Sequence, residues 1–149
     1  MVARMKTLLA FFLLATAAFA NDANRLVGHW DGSGTTIYNG NQQAQYTIDV
    51  TFYANGTFHQ QMGETFSSGG SIIQVLDGNW TFQGNTVTLT PTSVSYPMTD
   101  DYEPNIPDMP GFKPFKGTAP VPAPFSVPVQ FLDDNHWNNG EGTTFIRMG

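Results

Sequence analysis

The stretch YTIDVTFYANGTFHQQM, residues 46–62, decides the fold class. Tyr46, Ile48, Val50 and Phe52 alternate with Thr47, Asp49, Thr51 and Tyr53. A strand turns successive side chains to opposite faces, so the first set looks toward a core and the second toward solvent. Asn55-Gly56 follows. Both residue types accept positive φ at low cost, which makes this pair the favoured centre of a tight hairpin. Thr57 to Met62 then reads as the returning strand, with Phe58 on the core face.

The same grammar recurs outward from this hairpin. Ile72 to Leu76 leads through a turn at Asp77-Gly78 into Asn79-Trp80-Thr81-Phe82. Gln83-Gly84-Asn85 turns the chain again, and Thr86 to Thr90 carries Val87 and Leu89 on one face. Toward the end, Val127, Val129 and Phe131 share a face and Asp133-Asp134-Asn135 turns. Asn138 to Gly142 separates Trp137 from a last strand, Thr143 to Arg147. Only residues 21–26 suit a helix, as a single turn before the first strand. Short strands punctuated by glycine and asparagine predict an all-β, antiparallel barrel or sandwich.

One segment breaks the rhythm. Nine of the ten prolines fall between Pro97 and Pro128. Proline has no amide hydrogen for a central ladder, so residues 97–128 read as a long connection, an edge or a polyproline-like arm. Phe112, Phe115 and Phe125 either pack this segment over an open barrel end or leave it as an exposed arm.

The chain has 149 residues and only 12% are charged. Residues 1–20 have the form of a secretory signal: Arg4 and Lys6 at the head, an apolar run from Leu8 to Ala15, and a small-x-small cleavage site at Ala18-Phe19-Ala20. Residues 21–149 form one domain, placed in the periplasm or outside the cell. They keep all twelve acidic residues against Arg25, Lys113, Lys116 and Arg147. That balance repels nucleic acid and anionic lipid, and no further apolar run approaches the length of a membrane helix. Cysteine is absent, so packing alone holds the fold and no thiol is at hand for catalysis.

Leu26-Val27-Gly28-His29-Trp30 resembles the opening signature of lipocalins and their calycin relatives, a glycine-x-tryptophan on the first barrel strand. A looser group of small secreted bacterial lipocalin-like domains is similar in running on through Phe52-x-x-Asn55-Gly56-Thr57-Phe58 and Asp77-Gly78-Asn79-Trp80 to a final Phe145-x-Arg147. The resemblance covers most of residues 21–149 outside the proline-rich segment. It implies an up-and-down barrel whose Trp30 plugs one end, with Gly28 giving close passage and Arg147 lying across the indole face. The family's second signature, Thr-Asp-Tyr, has only the imperfect echo Thr99-Asp100-Asp101-Tyr102 here.

Catalysis finds no support. Ser67, Ser68 and Ser71 lie in a glycine-rich loop without a nucleophile elbow. His29, His59 and His136 share no metal-ligand spacing, and Asp100, Asp101, Glu103 and Asp108 match no calcium loop. The reading is therefore a non-enzyme without metal or cofactor.

Binding remains. Beyond residue 20 the chain carries nine phenylalanines, five tyrosines and three tryptophans, and a barrel of about eight strands has room for one small ligand. The wall candidates are Tyr46, Ile48, Val50, Phe52, Phe58, Trp80, Phe82, Val87 and Leu89, with Tyr46 and His59 as polar handles. The alternative is that these side chains fill the interior. No basic residue falls on the inward faces, so an apolar and neutral ligand is expected, not a fatty acid. The rival function is a protein-interaction module, an inhibitor or immunity-type factor whose acidic arm around Pro104-Asn-Ile-Pro107 meets a basic protein. An open interior favours the ligand, a filled one the partner. The proline composition itself makes a prediction: hydrogen exchange across residues 100–117 will lack strong continuous protection, which only stable backbone hydrogen bonds provide.

Overall fold

The computed structural model describes residues 22–38, 42–67, 69–97 and 120–149. The signal-like leader lies outside them. So does most of the proline-rich segment, with Phe112, Phe115, Lys113, Lys116 and the acidic cluster. A short helix, α1, over residues 22–26 precedes nine strands: β1 (Gly28–Tyr38), β2 (Gln42–Phe52), β3 (Thr57–Phe66), β4 (Ser71–Gln83), β5 (Thr86–Ser95), β6 (Phe125–Pro128), β7 (Gln130–Asp133), β8 (His136–Asn138) and β9 (Thr144–Met148).

Every pairing is antiparallel, in the order β6-β5-β4-β3-β2-β1-β9-β8-β7. The two edges of this sheet are consecutive in the chain. Phe125–Pro128 pairs with β5 and Gln130–Asp133 with β8, while Val129 between them donates its N–H to the Asn85 carbonyl (2.7 Å). One extended run thus bridges both edges, and the sheet becomes a nearly closed up-and-down barrel. Closure matters because open edges invite pairing with other chains. Pro128, which has no hydrogen to donate, sits where the run leaves one ladder for the other. The fold is compatible with the calycin-like architecture that the resemblance implies.

One reading of the strands needs correction. Asp77-Gly78 is no turn: β4 runs straight through it, and the register with β5 shifts there. A Cβ on Gly78 would collide with the Thr90 carbonyl oxygen and lie 2.7 Å from the Pro91 Cα. Glycine is needed here for the close approach of two backbones at a bulge, which is also a place where a sheet tolerates a proline such as Pro91. The last four residues of the proline-rich segment, Phe125–Pro128, form a paired strand at one end of the strand order, and residues 120–124 carry no ladder. The Asn55-Gly56 hairpin is present. Gly56 takes φ +83° and donates its N–H to the Tyr53 carbonyl, while Asn55 Oδ1 accepts from the Thr57 N–H and hydroxyl.

The barrel is packed solid at one end. Trp30, Leu26, Trp137, Phe52 and Phe58 are each no more than 2% exposed. Trp137 stacks on Phe145 (4.0 Å, 5°) and meets Trp30 edge to face, as Phe52 meets Trp80. Burying rings of this size contributes about 1.5–3 kcal/mol each, so this layer outweighs any single polar contact. Arg147 finishes it. Its guanidinium lies 4.2 Å from the Trp30 ring centroid and donates to the carbonyls of Arg25, Val27 and Asp134. Trp30 Nε1 donates to the Leu26 carbonyl (2.7 Å). Together they satisfy carbonyls that the end of α1 leaves without helical partners.

Gly28 answers to the same contact. Its φ is +138°, and a Cβ there would collide with Arg147 Nη1. Gly28→Ala and Arg147→Ala should each lower stability by about 2 kcal/mol, the first through strain and the second through lost cation–π and hydrogen-bond contacts. Because the second substitution removes the atom the first one strikes, the double variant should lose less than the sum by about 1 kcal/mol. Urea denaturation of the four proteins measures this, and strict additivity refutes the clash.

Candidate ligand-binding cavity

Above the aromatic end the barrel is hollow. A cavity of about 510 Å³ lies among the strands. Beside it a recess of about 320 Å³ leads outward, and the two share Ile48, Met62, Asn139 and Glu141 as walls.

The alternation on β2 builds one wall. The register Trp30↔Val50, Gly32↔Ile48 and Gly34↔Tyr46 places these residues on the face that carries Trp30. Beyond Trp30, β1 offers glycine inward. A Cβ on Gly32 would lie 2.9 Å from the Phe145 ring, and one on Gly34 would strike the Tyr46 hydroxyl. Neighbouring rings therefore lean across β1, and Tyr46 reaches Thr143 Oγ1 (2.6 Å). Thr143 is fully buried and is held by the β8–β9 loop, where its N–H donates to Asn139 Oδ1.

Of the wall residues read from the sequence, Ile48, Val50, Phe52, Val87 and Leu89 border the cavity and Tyr46 borders the recess. Phe58, Trp80 and Phe82 face the core but border neither. Phe58 and Trp80 belong to the packed end, where Trp80 Nε1 donates to the Tyr53 carbonyl, and Phe82 packs edge to face on Phe131. Gln60, Met62, Gln74 and Leu76 complete the β3–β4 wall. Continuing the Phe58 alternation along β3 finds Gln60 and Met62. Trp137 and Phe145 close the opposite side, and Pro122 and Phe125 bring the end of the proline-rich segment to the rim.

His59 is not a polar handle. The parity that sends Phe58 and Gln60 inward sends it outward, where Nδ1 donates to Asp77 Oδ1 (2.7 Å). His29 pairs likewise with Asp49 (2.6 Å) and His136 with Asp133. These are half-exposed couples on separate strands; among the described residues no three His, Asp or Glu groups converge as metal ligands.

The charges are segregated. Both described arginines are engaged at the packed end, Arg147 on Trp30 and Arg25 over the Phe131 ring at 4.1 Å. Glu64 and Glu141 border the recess. Among the described residues no lysine or arginine borders either space. The polar groups that border the cavity are the amides of Gln60, Gln74 and Asn139, the Ser126 hydroxyl and the Glu141 carboxylate; the Gln74 amide donates to the Tyr96 hydroxyl (2.8 Å).

No protein-family model matches this chain, and no curated protein matches it either. Among the described residues no helix is long and apolar enough to cross a membrane.

The outer couples make a titration prediction. The His136 imidazole, followed by the Asn135 N–H, holds the Asp133 carboxyl below its ordinary 3.8. A depressed carboxylate stabilises the fold above the ordinary aspartate range and loses that contribution as pH falls through the lowered pKa. His136→Asn should raise the Asp133 pKa toward 3.8, read from its carboxyl ¹³C shift; an unchanged midpoint refutes the pairing.

Proposed function

We propose that this protein is an exported lipocalin-like binder of one small, apolar and neutral ligand, working in the periplasm or outside the cell without catalysis. The observation that carries this reading is the cavity of about 510 Å³, with its aliphatic and aromatic walls and no basic residue among the described ones that border it. Its volume falls within the range of small-molecule sites, about 300–1,000 Å³. The signal-like leader and the Gly28-x-Trp30 opening with Arg147 on the last strand support export and family.

Charge decides the ligand class. A carboxylate buried without a partner costs several kcal/mol, and here it meets carboxylates at the mouth and no guanidinium within. Polyenes, sterol-like molecules and aromatic compounds fit; a fatty acid held by its head group does not. The hollow interior also favours this reading over the protein-interaction module, whose acidic arm lies outside the described residues.

Titration with a long-chain acid and its methyl ester, followed by tryptophan fluorescence, tests this directly. Trp137 in the wall is the reporter. The ester should bind and the acid should bind at least about tenfold more weakly at neutral pH, the equivalent of 1.4 kcal/mol. Tighter binding of the acid overturns the neutral-ligand reading, and binding of neither overturns ligand carriage altogether.

A further inference from the structure

The inward face of the β3–β4 wall is apolar except at two positions. Strand parity puts Gln60 between Phe58 and Met62 on β3, and Gln74 between Ile72 and Leu76 on β4. Gln60 stands opposite Leu76, and Gln74 opposite Met62. The two amides are therefore diagonal neighbours on adjacent strands, about 7–8 Å apart at their Cα atoms. Both border the cavity.

The other neutral polar groups of the wall are already engaged. The Ser126 hydroxyl pairs with that of Thr88 (2.9 Å), and Asn139 Oδ1 accepts the N–H groups of Glu141 and Thr143. Gln74 Nε2 donates to the Tyr96 hydroxyl (2.8 Å). Among the described residues Gln60 is the neutral polar side chain of the wall that makes no hydrogen bond. An amide turned toward an apolar space forfeits hydration unless something in that space replaces it.

From this we infer that the ligand carries one neutral group that both donates and accepts hydrogen bonds, an amide or a hydroxyl, and that Gln60 and Gln74 hold it. The inference rests on the ligand-binding reading above and adds to it the ligand's polar group and the place where that group sits.

Three points of chemistry lead there. A glutamine side chain has both an acceptor oxygen and an NH₂ donor, so a ligand group that only accepts leaves the Gln60 oxygen unmatched. Second, Gln74 is oriented in advance. With Nε2 on Tyr96, its Oε1 is left to accept, and the pair presents a donor at Gln60 and an acceptor on each strand. A group spanning two such side chains needs a proton to give and a lone pair to offer. Third, neither amide neutralises a charge, and a buried charge without a partner costs several kcal/mol. The ligand therefore lies with its polar group against β3 and β4, and with its hydrocarbon toward Val87, Leu89 and Phe145.

Three probes of nearly the same shape separate these demands. 2-Naphthamide donates and accepts, 2-acetylnaphthalene only accepts, and 2-ethylnaphthalene does neither. Followed by tryptophan fluorescence, the amide should bind roughly tenfold tighter than the hydrocarbon, with the ketone between them. In the ¹H–¹⁵N spectrum of the labelled protein, the amide should move the Gln60 side-chain NH₂ resonances. Those of Gln61, exposed on the outer face, should stay in place. Gln60→Leu keeps the bulk of the wall and removes the partner, so the dehydration of the amide goes unopposed and the hydrocarbon should bind tightest. If that variant does not fold, the order of the probes on the wild type and its Gln60 resonances, assigned through the Gln60 backbone, decide alone. An amide that keeps its advantage in folded Gln60→Leu, or a ketone bound as tightly as the amide, overturns the assignment. The hydrocarbon bound tightest by the wild type, with Gln60 unmoved, overturns this inference and leaves the ligand-binding reading intact. Binding of no probe overturns both.

Discussion

Arg147 lies across Trp30, and the architecture depends on that contact. The guanidinium comes from the last strand and the ring from the first, while the carbonyls it binds belong to Arg25 and Val27 at the end of α1 and to Asp134 in the β7–β8 turn. Two stretches of chain far apart in sequence, residues 25–30 and 134–147, meet at one planar cation. The cation–π term itself is modest, about 0.5–2 kcal/mol. What it secures is larger, because Trp30 covered on that side is a fully buried ring to which Trp137 docks and on which the aromatic floor is built. Gly28 at φ +138° is the local concession that lets the guanidinium in.

Sealing one end frees the other. The hydrophobic demand of a small barrel is met by the layer of Trp30, Trp137, Phe145, Phe52, Trp80 and Phe58, so the strands above it need not fill their interior. β1 shows how the space is kept. Past Trp30 its inward positions are Gly32 and Gly34, and the rings of Phe145 and Tyr46 lie over them. Bulk is thus supplied from the neighbours, along the wall, and not from β1 into the middle. Larger residues at these two positions would collide with those rings before they filled the cavity.

Much of this was legible in the sequence, and the misses have physical reasons. Period-two alternation gave β2 and the start of β3, since a half-buried strand has no other way to sort polar from apolar side chains. The glycine-x-tryptophan with a terminal arginine pointed to the closed end. Asp77-Gly78 misled because glycine marks both turns and bulges; what separates them is the opposing backbone, here Thr90 and Pro91, which local sequence does not reveal. Phe125–Pro128 realises the edge alternative for the proline-rich segment, because at a strand end the missing donor costs nothing. His59 was misplaced against the parity of its own strand, and the same count recovers Gln60. Trp137 was beyond reach, because it stands on a three-residue strand too short to show any period.

On the proposed ligand-binding reading, selectivity comes from the distribution of charge and of hydrogen-bonding capacity and not from volume alone. An apolar void of several hundred cubic ångströms accepts many hydrocarbons, and each added methylene changes affinity by only about 0.8 kcal/mol. Discrimination comes from polar groups that must be matched or left unpaired. Both described arginines are held at the packed end by Trp30 and Phe131, and Glu64 and Glu141 border the recess, so on the proposed ligand-binding reading an anion meets no described cation here. A chain that stabilises a barrel without disulfides puts both of its described arginines to structural use at the packed end, and the absence of a guanidinium from the described cavity walls follows from that choice.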